Sequence, residues 1–310
     1  MFIFVTAGQF SCTRDLDIEL PEPQKKLVLN GILTAGQSPA ISVETNSGMH
    51  ADSFPHSVKT ARVILTERGG WSDTLLAYTS SDNYTYYLSP ANRTIQQGKI
   101  YEIFAMDNKL PPVFAVTTVP DSVAFDATNL QRNKIMTDIN NIKIYYDEFN
   151  LSFKDAPGEK NFYSLSVTYI DTIMQIDGNG NLVHTPILTT GCIRTSDAQI
   201  VQSSDIPVED DRTSFNCYSS LIFSDKFIQG KSVNIPIQIM RSYDEYHAQN
   251  PVYKITLHHL SESYYQYLVT LNLQNRFRNN PFAEPVQVYN NIQNGLGIFC
   301  GKATSVKIIP

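Results

Sequence analysis

The sequence predicts a mostly β protein of two domains, and three observations carry that prediction. The chain has 310 residues, enough for about two domains. Hydrophobic residues make up 42% and charged residues only 17%, a balance that supplies packed cores and argues against disorder. The aromatic set of 17 Tyr and 16 Phe beside a single Trp suits pleated, half-buried surfaces. The formal net charge of −6 excludes a strongly basic nucleic-acid footprint. No stretch approaches the ~18 apolar residues of a membrane-spanning helix.

In chain order, residues 1–11 (MFIFVTAGQFS) are apolar and end in a small residue before Cys12. They resemble the tail of a bacterial lipoprotein signal peptide, although a positive start is missing and Gln9 replaces the usual aliphatic residue. Cys12 is therefore the expected lipid-attachment site; a frayed terminus holding a buried cysteine is the plain alternative. The acidic run from Asp15 to Glu19 follows, and Pro21-Glu22-Pro23 reads as an extended tether within 12–24.

Residues 25–120 show seven short strand-like runs, at 26–33, 41–46, 60–66, 74–79, 84–88, 99–106 and 112–118. Alternation in Ala61-Val63-Leu65 and in Tyr84-Tyr86-Leu88 puts every second residue toward one core. Gly69-Gly70 reads as a hairpin turn, with Trp71 after it. Tyr84 and Tyr86 are expected in core and cross-strand packing, with sugar stacking the rival reading. Seven short strands without a helical period predict an immunoglobulin-like or transthyretin-like sandwich.

Pro120-Asp121-Ser122 marks a junction, and 121–310 reads as a second β-rich domain. Ile142, Ile144 and Tyr146, then Leu151 and Phe153, form a first pair of runs. Tyr163, Leu165 and Val167 share one face of the next. Asp177 to Asn181 is hairpin chemistry; a calcium loop would need Gly at Leu182 and Glu at Leu188. Further strands are expected at 219–226, 233–240, 252–258 and 303–309. One helix is predicted near 262–277, because Tyr264, Tyr267, Leu268 and Leu271 recur at i, i+3, i+4 and i+7. Ser261 or Ser263 caps it, and Asn279-Asn280-Pro281 stops it. Such a helix is expected to cover an open end or a sheet face.

Chemistry-bearing patterns are sparse. Cys192 and Cys217 can pair across neighbouring loops in an oxidising compartment, but buried free thiols are the preferred reading for them and for Cys300. No CxxC or HExxH spacing marks a metal site, and none is expected. His258 and His259 are adjacent on a strand and point to opposite faces. No nucleophile elbow, phosphate loop or dinucleotide fingerprint occurs, so neither a catalytic set nor a cofactor is expected. Gly295 and Gly297 are assigned to a tight structural turn that sends Leu296, Ile298 and Phe299 into the core.

Four segments together resemble a known family. They are Cys12 with LPEPQKKLVLNG ending at Gly31, and Val58 to Val63 with Gly98-Lys99-Ile100-Tyr101. The third is Asp155-Ala156-Pro157-Gly158-Glu159-Lys160-Asn161-Phe162-Tyr163, and the fourth runs from Pro285 to Gly301. The pattern resembles an uncharacterised family of Bacteroidota outer-membrane lipoproteins, domain of unknown function 4249. The resemblance implies a lipid-anchored envelope protein near TonB-dependent receptors, with no known activity and no catalytic residues. The expected function is a ligand- or partner-binding module accessory to such a receptor. A structural or adhesive surface protein is the first rival and a glycan-acting enzyme the second.

Overall fold

A computed structural model describes residues 24–47, 56–137, 141, 143–176, 178, 181–204, 217–241, 250–277, 282 and 284–310. Cys12 lies outside them, and so does Glu209-Asp210-Asp211-Arg212, a charge run whose sequence reads as a solvated loop. The first eight strands are β1 (Leu27–Thr34), β2 (Ala40–Thr45), β3 (His56–Ser57), β4 (Arg62–Glu67), β5 (Ser72–Thr79), β6 (Thr85–Leu88), β7 (Lys99–Met106) and β8 (Val113–Val119). There follow β9 (Phe125–Thr137), β10 (Lys143–Lys154), β11 (Phe162–Ile176), β12 (Leu182–Thr190) and β13 (Cys192–Thr195). The chain then forms α1 (Ala198–Ser203), β14 (Leu221–Ser224), β15 (Ser232–Arg241), β16 (Tyr253–Leu260), α2 (Glu262–Phe277) and β17 (Leu296–Ile309).

One long central sheet runs in the order β12-β11-β16-β17-β1-β2-β6-β5. Strand β5 leaves it halfway: Leu76–Thr79 pairs with β6, whereas Ser72–Leu75 pairs with β4. Strands β4, β7 and β8 thereby form a second layer over β1, β2 and β6. Strands β13, β15, β10 and β9 form a third layer over β11 and β16. Two apolar cores result. Leu29, Ile41 and Val43 meet Val63, Leu65 and Ile103 in the first, and Leu165, Val167 and Ile255 meet Phe149, Leu151 and Ile237 in the second. Each such buried side chain contributes ~1.5–3 kcal/mol relative to exposure.

Strand β17 joins the cores. Its first half pairs in parallel with β1, from Val28↔Leu296 to Thr34↔Lys302. Its second half pairs antiparallel with β16, from Leu260↔Lys302 to Tyr253↔Ile309. Phe299 and Ile292 belong to the first core, and Ile309 belongs to the second.

The mostly β class and the one long helix are present as expected, and several details differ. A short helix, α1, is added; Asp197 caps it by accepting the N–H groups of Gln199 and Ile200. The stripe read for α2 holds in part: Tyr264 and Leu268 pack against the outer face of the central sheet, but the buried positions are Tyr265 and Val269, packed with Phe162, Ile222 and Leu260. Ser261 caps it, its Oγ accepting from Tyr264 N at 3.3 Å and Gly301 N at 3.0 Å. Strand β10 is continuous, and it is β9 that is irregular. Asn129 and Asn133, with φ 56° and 54°, sit where the register against β10 slips. Asn tolerates this left-handed backbone, so it can supply the extra residue of a bulge.

Tyr84 and Tyr86 correct the core assignment. They are 59% and 39% exposed, while Thr85 and Tyr87 face inward at 2% and 1%. A shift of one residue reverses every face of a strand.

Cys192 and Cys217 form a disulfide, contrary to the preferred reading as free thiols, and Cys300 is a buried free thiol. The Ile193↔Tyr218 bridge brings the two sulfurs together by holding the Cys217 segment against β13. The bond closes a separation of 25 residues. Converting both cysteines to Ala is expected to cost about 3 kcal/mol from loop entropy, read as a lower urea midpoint. Reducing agent should lower the midpoint of the parent protein similarly and leave that of the variant unchanged.

Candidate functional site

An open cleft of about 1350 Å³ lies between the two sandwiches. Its floor comes from the turn between β10 and β11, the end of β16 and the junction after β8. This turn is the Asp155-to-Tyr163 segment that carried the third family motif. Asn161 organises it: its Nδ2 donates to the carbonyls of Ala156 at 2.9 Å and Glu159 at 3.1 Å. Its backbone N–H donates to Asp225 Oδ2 at 2.9 Å. Asp155 is 1% exposed and accepts from Tyr163 OH and from Gly230 N, the latter at 2.7 Å.

His259 ties the floor together. Its Nδ1 lies 2.7 Å from the carbonyl of Asp121, and its Nε2 lies 3.1 Å from Asn161 Oδ1. A carbonyl only accepts, so Nδ1 carries hydrogen. Burial holds the pKa of this imidazole below its ordinary value, against the opposing pull of the Asp121 carbonyl and the nearby carboxylates. In that neutral form Nε2 and Asn161 Oδ1 meet as two acceptors. A second proton would complete the link. The ring also stacks on Tyr163, with centroids 5.2 Å apart. Burial raises the pKa of Asp225, partly offset by its bond from the Asn161 N–H.

The rim is different in kind. Lys154, Glu159, Lys160 and Glu262 line the cleft, are solvent-exposed, and make no hydrogen bond or ion pair through their side chains among the described residues. Thr117 Oγ1, Ser263 Oγ and Ser261 Oγ form a hydroxyl chain along one wall, with separations of 3.4 and 3.0 Å. The floor is thus occupied, while charged groups of both signs stand above it without a side-chain partner among the described residues.

A second feature lies on the outer face of the first sandwich. Leu76, Tyr78, Tyr84 and Tyr86 are 60%, 60%, 59% and 39% exposed. Tyr78 pairs across from Tyr86, which in turn faces Ser42, so the patch is continuous over β5 and β6 and polar at its margin. Trp71 is elsewhere: it packs on the first core beside Tyr101, under Arg93.

Gly295 and Gly297 line neither feature. The turn itself is carried by Asn294, with φ 61°. Gly297, the second residue of β17, has φ +112°, and a Cβ there would lie 2.1 Å from the carbonyl oxygen of Leu29. A Cβ at Gly295 would lie 2.6 Å from Val113 Cγ1. Their structural role includes close approach to β1, a role that spacing alone did not indicate. His258 and His259 do point to opposite faces, toward Thr304 and Asn161. Among the described residues no group of three or more His, Cys, Asp or Glu is placed to hold a metal ion. The cleft cluster was not anticipated, because Asp225 and His259 are far in sequence from the Asp155–Asn161 turn. The signal available was the dense Asp155-to-Tyr163 motif.

A search of curated proteins finds no match. The family described as Domain of unknown function (DUF4249) matches residues 13–308, nearly the whole chain including both sandwiches, and the protein belongs to that family.

Proposed function

We propose that the protein is a partner-binding module of the cell envelope, tethered by lipid at Cys12 and accessory to a TonB-dependent outer-membrane receptor. The observation that carries the reading is the exposed patch of Leu76, Tyr78, Tyr84 and Tyr86. Contiguous apolar surface with a polar margin costs solubility unless a partner covers it, and Tyr is favoured at interfaces. The Cys192–Cys217 disulfide supports an oxidising compartment. The apolar run ending in a small residue before Cys12 supports the tether, and the acidic run after it resembles a surface-export signal. No described helix is long and apolar enough to cross a membrane.

Ligand binding in the cleft is the second reading, favoured by its fixed floor and unpaired rim. The occupied state of Asp155 and Asp225 favours binding over acid–base chemistry there, since neither carboxylate stands free.

The test is purification from native membranes in mild detergent, with identification of what accompanies the protein. A TonB-dependent barrel is expected, and it should be lost from the Tyr78→Ala, Tyr86→Ala double variant. A partner-free monomer that turns over a defined glycan, and stops after one carboxylate substitution, would overturn the reading. Separately, Cys12→Ala in the full-length precursor should give soluble or unprocessed protein, because several acyl chains at ~0.8 kcal/mol per buried CH₂ supply the anchoring. Unchanged membrane retention with an unmodified Cys12 in mass spectrometry would refute the tether.

A further inference from the structure

A second cavity, of about 560 Å³, lies between α2 and the outer face of the central sheet, away from the exposed tyrosines. We propose that it is a binding site for a small-molecule carboxylate whose head group pairs with Lys302 and whose apolar body lies against Leu260 and Leu268. Lys302 stands where β17 changes partner from β1 to β16. Its side chain lines the cavity and makes no hydrogen bond or ion pair among the described residues. Among the described residues no Asp or Glu lines the cavity, although the chain as a whole carries a net charge of −6.

The other lining groups are neutral. Ser164 Oγ and Ser220 Oγ lie 2.6 Å apart, so one hydrogen joins them and the second is free to be donated. His258 is engaged with Thr304 Oγ1 at 2.9 Å, and burial pushes its pKa down to about 4, so it carries no charge near neutrality. Asn272 adds an amide at the mouth, and Ile222, Leu260 and Leu268 supply the apolar wall.

A half-buried ammonium without a counter-ion is costly, and a Met of similar shape would pack there at no such cost. Burial accordingly pulls the pKa of Lys302 below the usual lysine value. An anion in the cavity would remove that penalty. With Lys302 the single cation among the described lining residues, a monoanion matches the charge better than phosphate does.

The probe is hexanoate, titrated calorimetrically into the full chain, with 1-hexanol and inorganic phosphate as comparators. Hexanoate is expected to bind saturably and to raise the melting temperature. Affinity should fall at least tenfold in Lys302→Met and be largely kept in Lys302→Arg. It should also weaken as pH rises toward the lysine range, because only the ammonium pairs with a carboxylate. Removing an uncompensated charge should leave Lys302→Met folded, and circular dichroism checks this. Absence of saturable hexanoate binding would overturn the proposal. So would equal binding by Lys302→Met, equal binding of 1-hexanol, or preference for phosphate. None of these outcomes bears on the receptor reading, which is tested at Tyr78 and Tyr86.

Discussion

Replacing Asp147 by Ala is expected to cost about 3–5 kcal/mol of stability, the range found when one partner of a buried ion cluster is removed. Asp147 is fully buried on the inward face of β10, at the end of the second core. Its Oδ1 accepts from Asn133 N at 2.8 Å, at the bulge of β9. Its Oδ2 accepts from Tyr253 OH at 2.5 Å and Arg241 Nη1 at 3.3 Å, with Arg132 Nη1 at 3.6 Å. Arg132 also donates to the Pro251 carbonyl and lies over the Tyr253 ring. Removing the carboxylate takes a shared acceptor from two guanidinium groups and a buried hydroxyl. The Arg68–Glu102 pair offers the contrast: at 2.6 Å it is shorter, but the Arg68 side chain is 55% exposed. Removing that pair should cost no more than ~1 kcal/mol. Urea titrations of Asp147→Ala and Arg68→Ala decide the matter; equal midpoints would show that the buried cluster contributes nothing special.

Gly297→Ala should destabilise by roughly 4 kcal/mol, the sum of backbone strain and overpacking. The strain comes from φ +112°, and the overpacking from a methyl 2.1 Å from Leu29 O. That methyl can be admitted only if β1 and β17 separate. Gly36→Ala is the matched control, since Gly36 has φ +78° but a methyl added there would meet nothing within 4 Å. It should cost only about 1 kcal/mol. Hydrogen exchange would locate the damage, with faster exchange expected at the β1 amides in Gly297→Ala alone. Similar losses in the two variants would mean that the parallel pairing is not tight.

Much of the strand layout was legible because period-two burial is a local signal. Ala61, Val63 and Leu65 show it, as do Tyr163, Leu165 and Val167. What failed had non-local causes. Tyr84-Tyr86-Leu88 alternates as well as any core strand, but which face turns inward is decided by the layer laid over it. Gly295 to Gly297 reads as a turn because its strand partner, β1, lies some 270 positions earlier. Strand β9 escaped notice because its bulges at Asn129 and Asn133 break the alternation. The disulfide was undecidable from two cysteines alone, since pairing depends on the bridge between Ile193 and Tyr218. The same holds for the cleft. Its floor joins Asp155, Asn161, Asp225 and His259 from three segments, and only the Asp155-to-Tyr163 stretch was conspicuous as sequence.

The strand shared by the two cores bears on the order of folding. A chain that emerges N-terminus first presents β1 early, yet one edge of β1 stays open until residues 296–302 arrive. Closing so long a loop is entropically slow, and such topologies fold late. In the interval β1 offers unpaired N–H and C=O groups to any extended neighbour, a hazard for aggregation. Completion of the first sandwich and attachment of the second therefore coincide in one terminal event. Strand β17 acts as the fastener, and a nascent chain lacking it has neither core complete.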